Sequence, residues 1–165
     1  YGLGGGLLPS IEGVDLAAYD LVMIDAAGPR LLNFSAQIEA AKAQTKVLIV
    51  GAGTPITGNI DRAAHPDVAA YWNNLTEENY AGLFAYVAAR FLGQQIEVPP
   101  PRVFANLALW HPDAPAPFAT LAEYFAWTRG RLPGAAARPR IGVLFYRSLM
   151  LANNAGVVAA LIREV

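Results

Sequence analysis

A chain of 165 residues is long enough for one α/β domain with a real core, or for one domain and part of another. Its composition is 55% hydrophobic and 15% charged, yet no stretch reaches the roughly 18–20 apolar residues that cross a bilayer, and a formal net charge of −1 argues against a whole-surface nucleic-acid binder. With no cysteine, disulfides, thiolate metal sites and thiol catalysis are excluded.

The chain opens at Tyr1 on "YGLGGG", without the basic start and apolar core of a signal peptide. "YDLVMID" (Tyr19 to Asp25) is a compact apolar run that reads as a strand, ended by the turn signal "AAGPR". A helix over roughly Ser35 to Gln44 follows, with Ile38 and Ala41 on its inner face. "KVLIV" (Lys46 to Val50), apolar almost throughout, is a second strand of the kind buried on both faces, giving a βαβ unit with a parallel sheet. Directly after it comes Gly51-Ala52-Gly53. A dinucleotide fingerprint needs a third glycine and a helix start, but here Thr54-Pro55-Ile56 follows and no Walker A sequence occurs anywhere. These glycines read as strand-end punctuation.

Gly51 to Asp67 is irregular. The clearest helix opens with Glu77 and Glu78, repeats Tyr80, Leu83, Phe84, Val87 and Phe91 at helical spacing, and closes at Gly93. "VPPPR" is a rigid connector, and "VFANLAL" (Val103 to Leu109) is a candidate strand. A helix from about Phe118 to Thr128 carries the capping pattern Thr120-x-x-Glu123 and ends at Gly130. "RGRLPGAAARPR" reads as an interdomain linker. "IGVLFY" then gives a strong buried-strand signal, followed by a final amphipathic helix with Val157, Val158, Leu161, Ile162 and Val165 on one face. That helix runs to the last residue without a stop signal, so the chain reads as part of something longer.

His111 is one of two histidines. Asp113 is its only nearby acid, so a hydrogen-bonding role is favoured over a metal ligand; His65 carries less weight. Arg129, Arg131, Arg138, Arg140 and Arg147 lie in a stretch free of acids, either a patch for a multi-anionic ligand or a solvated linker. Arg147 stands apart because it joins an expected strand end to a helix, the place where doubly wound sheets bind ligands, with Ser148, Asn153 and Asn154 as polar company. No serine nucleophile motif is present.

"RPRIGVLFYRSLMLANNAGVVAALIREV" resembles a segment of the large subunit of cobaltochelatase (CobN) and of the related H subunit of magnesium chelatase. "LWHPDAPAPFATLAEYFAWTRGR" is similar to the family's Tyr-His-Pro-Asp stretch, and "NIDRAAHPDVAAYWNNLTEENYAGLFAYVAARFLG" to its Asn-Leu-Asp, Tyr and Glu-Asn-Tyr pattern. "YDLVMIDAAGPRLL" is compatible with its first strand. Trp110 stands where the family commonly has Tyr, and "LML" follows Ser148 where it often has His or another polar residue; these departures leave the branch and the metal open.

The resemblance implies the N-terminal part of a very large subunit that binds a tetrapyrrole and a divalent metal, cobalt or magnesium, as substrates. Separate AAA+ ATPase subunits would hydrolyse ATP, and this chain alone would hold no cofactor and be inactive. The cobalt branch acts on hydrogenobyrinic acid a,c-diamide in cobalamin biosynthesis, the magnesium branch on protoporphyrin IX. The expected fold is α/β, flavodoxin- or Rossmann-like: a domain over 1–131, a linker over 132–138, and the first strand and helix of a further α/β domain over 139–165. Arg147, Ser148, His111 and Asn153 are the candidate tetrapyrrole contacts. The location implied is cytoplasmic, or periplasmic if a signal peptide was removed. A non-catalytic, exported metal- or tetrapyrrole-binding homologue and a plain α/β interaction domain are the alternatives.

Overall fold

The structure, a computed structural model, describes residues 13–26, 29–51, 55–131 and 141–164. Strand β1 (Leu21–Asp25) pairs in parallel with β2 (Lys46–Val50), in a register running from Leu21 opposite Lys46 to Asp25 opposite Val50. Helix α1 (Ser35–Ala41) makes the crossover between them, preceded by the 3₁₀ turn Pro29–Phe34. Because successive strand residues point to opposite faces, β2 splits its side chains between two cores. Val47 and Ile49 join Ile38, Ala41 and Leu16 on the α1 side. Leu48 and Val50 pack with Val68, Tyr71, Leu83, Tyr86 and Val87 on the other. The expected βαβ unit and double-sided burial are both present.

The second face is covered by α2 (Pro66–Asn73) and α3 (Glu77–Phe91). Helix α2 begins inside the stretch expected to be irregular, with Pro66 at its first turn and Asp67 beside it as ordinary start signals. Thr76 caps α3, its Oγ1 accepting from the Asn79 amide at 3.2 Å. The buried face of α3 is rotated from the one expected. Leu83 and Val87 are inside, but Tyr80 and Phe84 are exposed, and Asn79, Gly82 and Tyr86 take the inner positions. Gly82 explains the rotation: a Cβ there would lie 2.6 Å from Cε1 of the buried Tyr71 ring, so only glycine lets α2 and α3 approach this closely.

Among the described residues no third strand pairs with the outer edge of β2, and Asn59 stands in for one at Val47. Asn59 Oδ1 accepts from the Val47 amide at 2.7 Å, its Nδ2 donates to Lys42 and Thr45 carbonyls at 2.8 and 2.7 Å, and its own amide donates to Val47 O at 3.1 Å. Asp61 then caps the 3₁₀ turn Arg62–Ala64. Gly51 ends β2 at φ 72°, a left-handed conformation that suits glycine. The rest of the Gly-x-Gly turn, residues 52–54, lies outside the described residues.

Helix α4 (Leu121–Arg129) has the full capping box anticipated at Thr120 and Glu123, with Gly130 as C-cap. It starts later than Phe118 because Phe118 is held in an antiparallel bridge to Leu109. Two strand expectations are corrected. Residues 103–109 contribute only that bridge, since backbone groups before it are taken up elsewhere: Phe104 N–H donates to Asn74 Oδ1 at 2.9 Å. "IGVLFY" forms no strand and is not buried, with Leu144 95% and Tyr146 83% exposed; among the described residues no strand pairs with it. The chain then forms α5 (Arg147–Leu151) and α6 (Gly156–Glu164), where Val157 and Leu161 of the expected inner face are exposed. The expected linker, 132–138, lies outside the described residues.

Candidate functional site

The turn between α2 and α3 brings together residues far apart in the chain. Asn74 and Asn79 are both buried, and a buried amide must find partners or lose the hydrogen bonds it had in water. Asn79 Nδ2 donates to the carbonyls of Asn74 (2.6 Å) and Arg102 (2.7 Å), while Oδ1 accepts from the Arg102 amide (2.8 Å). Asn74 Nδ2 donates to Ala70 O (2.7 Å), and its Oδ1 accepts from Phe104 N. Tyr71 Oη adds a bond to Pro99 O. The irregular stretch from Pro99 to Ala105 is thus sewn to the helical pair by side chains in place of a β-ladder.

Arg147, the first residue of α5, completes this arrangement. Its Nη1 donates to Phe104 O (2.9 Å), Ala105 O (3.0 Å) and Asn74 Oδ1 (3.3 Å), and its Nη2 to Asn73 O (2.7 Å) at the C-terminus of α2. All four acceptors are neutral oxygens, and among the described residues no carboxylate pairs with it. A planar fork spans such a set where a point ammonium does not. Arg147→Lys is expected to lose about 1–2 kcal/mol of stability; urea unfolding at neutral pH measures it.

Arg147 and Ser148 line a cavity of about 90 Å³ with Trp72, Asn73, Leu75 and Leu151. That room takes a single carboxylate-sized group and not a macrocycle. Asn153 does not line it. It sits one residue past the C-cap of α5 at φ 52°, with its amide bonded to Met150 O (3.1 Å) and the next amide, of Asn154, to Leu149 O (2.7 Å). This is the left-handed helix stop in which asparagine substitutes for glycine.

His111 is also elsewhere. It packs on Trp127 of α4 with ring centroids 4.8 Å apart, and its Nδ1 accepts from the Asp113 amide at 3.2 Å. Nδ1 is therefore unprotonated, and in the neutral ring Nε2 carries the proton. Asp113 is in turn gripped by Arg163 of α6, with Nη2 at 2.7 Å and Nε at 3.1 Å from Oδ1. That ion pair is about half-exposed on both sides, so it positions α6 more than it stabilises it. Burial pushes the His111 imidazole below its ordinary 6.5, outweighing the attraction of Asp113, and Arg163 pushes the same way.

As pH falls through 6.5 the unfolded chain takes up the His111 proton first, so stability is full above that value. It declines toward the lower folded-state value and falls no further from this group below it. His111→Gln is expected to flatten the dependence of the urea midpoint between about pH 7.5 and 5.5. An equally steep dependence in the variant would contradict this assignment.

Of the remaining arginines, Arg129 Nε donates to Phe125 O at 3.2 Å and Arg131 lies 4.7 Å over the Trp127 ring, while Arg138 and Arg140 lie outside the described residues. His65 is set among aromatic rings, with Nδ1 2.9 Å from Tyr86 Oη. Among the described residues no group of three or more His, Asp or Glu could hold a metal ion, and no helix is long and apolar enough to cross a membrane. No role for Asn59, Asn74 or Asn79 follows from residue spacing alone. The available signal is asparagine recurring within otherwise apolar segments, where an amide survives only if it is bonded.

The profile of the CobN/magnesium chelatase family matches residues 69–165, more than half of the chain. The H subunit of magnesium chelatase from Chlorobaculum parvum is 26% identical over 84 residues, 51% of this chain and 7% of that protein. The catalytic subunit of cobaltochelatase from Mycobacterium tuberculosis superposes with a TM-score of 0.49 at 22% identity, over 90% of this chain and 12% of that one. The matches thus span about a tenth of these relatives' lengths. Asn79, His111, Asp113 and Arg147 all fall within the matched residues, and the chain belongs to the CobN/magnesium chelatase family.

Proposed function

We propose that this chain is the N-terminal part of the large, tetrapyrrole-binding subunit of an ATP-dependent metal chelatase. The leading reading is cobalt insertion into hydrogenobyrinic acid a,c-diamide, with AAA+ partner subunits hydrolysing ATP. The observation that carries it is the family match over 69–165, the stretch that holds the Asn74–Asn79–Arg147 network. In this reading β1 and β2 belong to a flavodoxin- or Rossmann-type sheet in a domain over 1–131, and 139–165 opens a second. The chain does not insert metal by itself, because distorting the macrocycle and desolvating the ion take more than these side chains offer.

Arg147 and Ser148 are the proposed carboxylate contact. Among the described residues Arg147 offers a positive charge met only by neutral oxygens, beside a cavity of the right size for one macrocycle side chain. His111 and Asn153 play secondary parts, since neither lines that cavity. A magnesium-type subunit acting on protoporphyrin IX is the second reading, favoured by the similarity to a magnesium-chelatase relative.

Titrating the chain with hydrogenobyrinic acid a,c-diamide and with protoporphyrin IX, read by tryptophan fluorescence, tests both. Saturable micromolar binding is expected, weaker for the methyl-esterified macrocycle and for Ser148→Ala. The preferred macrocycle then selects the branch. No binding of either compound would defeat a tetrapyrrole site in this part of the family, and equal binding of acid and ester would remove the Arg147 contact.

A further inference from the structure

The hydrogen bonds of Arg147 leave part of its guanidinium unused. A guanidinium carries its N–H donors in a fixed plane, two on each Nη and one on Nε. Both hydrogens of Nη1 are taken up by Phe104 O, Ala105 O and Asn74 Oδ1, and one of the two on Nη2 by Asn73 O. The Nε–H and the other Nη2 hydrogen have no acceptor among the described residues. Those two nitrogens lie along one edge of the fork, an edge that meets a carboxylate through two parallel bonds. Arg147 borders the cavity of about 90 Å³ together with Asn73 and Ser148, whose side chains likewise make no hydrogen bond among the described residues. The other walls, Trp72, Leu75 and Leu151, are largely apolar.

We infer that this cavity takes a free carboxylate on a short unbranched stem and turns away the matching carboxamide. Charge is the first reason. Among the described residues the half-buried Arg147 cation meets neutral oxygens only, and its bond to an ionised acceptor is about twice as strong as one to a neutral acceptor. Geometry is the second. A carboxylate offers two acceptor oxygens to the Nε–Nη2 edge, whereas a carboxamide offers one and sets its own NH₂ against an N–H. Size is the third. A volume of about 90 Å³ is roughly that of three waters, which a carboxylate and its first methylene fill, so the rest of the ligand lies outside. The apolar walls disfavour phosphate, whose remaining charged oxygens would face them. The identity of the whole ligand rests on the tetrapyrrole reading above; the choice of acid over amide does not. On a macrocycle that bears both acid and amide side chains, the site selects an acid and so fixes which edge of the ring faces α5.

Titrating the isotope-labelled full chain with sodium propionate and with propionamide at constant ionic strength, followed by NMR, tests this. The reporters are the Arg147 Nε–H signal and the Trp72 indole signal, assigned with Arg147→Lys and Trp72→Phe. Both should shift saturably at millimolar propionate, while the Nε–H signals of the other arginines stay in place. Propionamide should bind about tenfold more weakly or worse. Leu151→Phe, which narrows the cavity without touching any hydrogen-bond partner of Arg147, should weaken propionate binding by a similar factor. No saturable shift of either reporter would overturn the inference. So would an equal response to propionamide, inorganic phosphate binding as tightly as propionate, or a shift shared by all the arginines. Propionate binding without binding of either macrocycle would uphold the carboxylate subsite and defeat the tetrapyrrole reading. Macrocycle binding that moves neither reporter would do the reverse.

Discussion

Asn79→Ala should destabilise the chain by about 3 kcal/mol, because it deletes three side-chain hydrogen bonds at once in a buried place. The lost amide leaves the carbonyl and the amide of Arg102 without their partner and the Asn74 carbonyl with the Thr76 amide alone, and water cannot reach a side chain that is 2% exposed to replace it. Asn79→Asp is expected to be at least as damaging, although its shape is nearly unchanged. The carboxylate still accepts from Arg102 N–H, but it turns the NH₂ that served two carbonyls into an oxygen facing them. Urea midpoints of the two variants check this. A well-tolerated Asp would show that Asn79 is not held as a double donor.

Gly58→Ala is the second large effect. A Cβ at this position would sit closer than 3.0 Å to the carbonyl oxygen of Val47. Val47 is wholly buried at the centre of the α1-side core, and its carbonyl already receives the Asn59 amide, so the strand cannot retreat. Either the 58–60 segment lifts off the β2 edge, taking the four Asn59 hydrogen bonds with it, or β2 shifts against both cores. Each route costs about 3 kcal/mol or more. Gly142→Ala is the matched control: it meets nothing within 4 Å, and its effect should stay within about 0.5 kcal/mol. Thermal or urea unfolding of the pair distinguishes a steric requirement at Gly58 from a general intolerance of alanine for glycine.

The parts of the fold legible in the sequence are those fixed by local patterns. Both strands, the crossover helix, the start of α3 at Glu77 and the Thr120–Glu123 capping box depend on neighbours within a few residues, and all appear where expected. The register of α3 does not, because its inner face is chosen by Gly82 meeting Tyr71, an event on another helix. "IGVLFY" misleads for a related reason. An apolar run reports that a segment suits burial, but says nothing of what covers it, and here among the described residues only Phe145 is partly covered, by Trp110.

The candidate site is legible in its residues and not in its geometry. Arg147, Ser148, His111 and Asn153 stand out by residue type and position, yet only Arg147 and Ser148 share a cavity. The guanidinium's four acceptors are three backbone carbonyls and one side-chain amide oxygen, drawn from positions 73, 74, 104 and 105. Carbonyls carry no signature in a sequence, so the fixed position of Arg147 is visible only once the chain is folded. The same holds for Asn59, whose side chain imitates a strand's backbone on the open edge of β2.

Two separate segments, Glu78-Asn79-Tyr80 and Tyr146-Arg147-Ser148, act as one unit by holding residues 102–105 between them. A double-mutant cycle on Asn79→Ala and Arg147→Ala, read by urea unfolding, measures this directly. A coupling of about 1 kcal/mol or more is predicted, because freeing the segment at one end removes much of what the other end holds. Single-variant losses that add to within about 0.5 kcal/mol would show two independent contacts and contradict the joint role of the two segments.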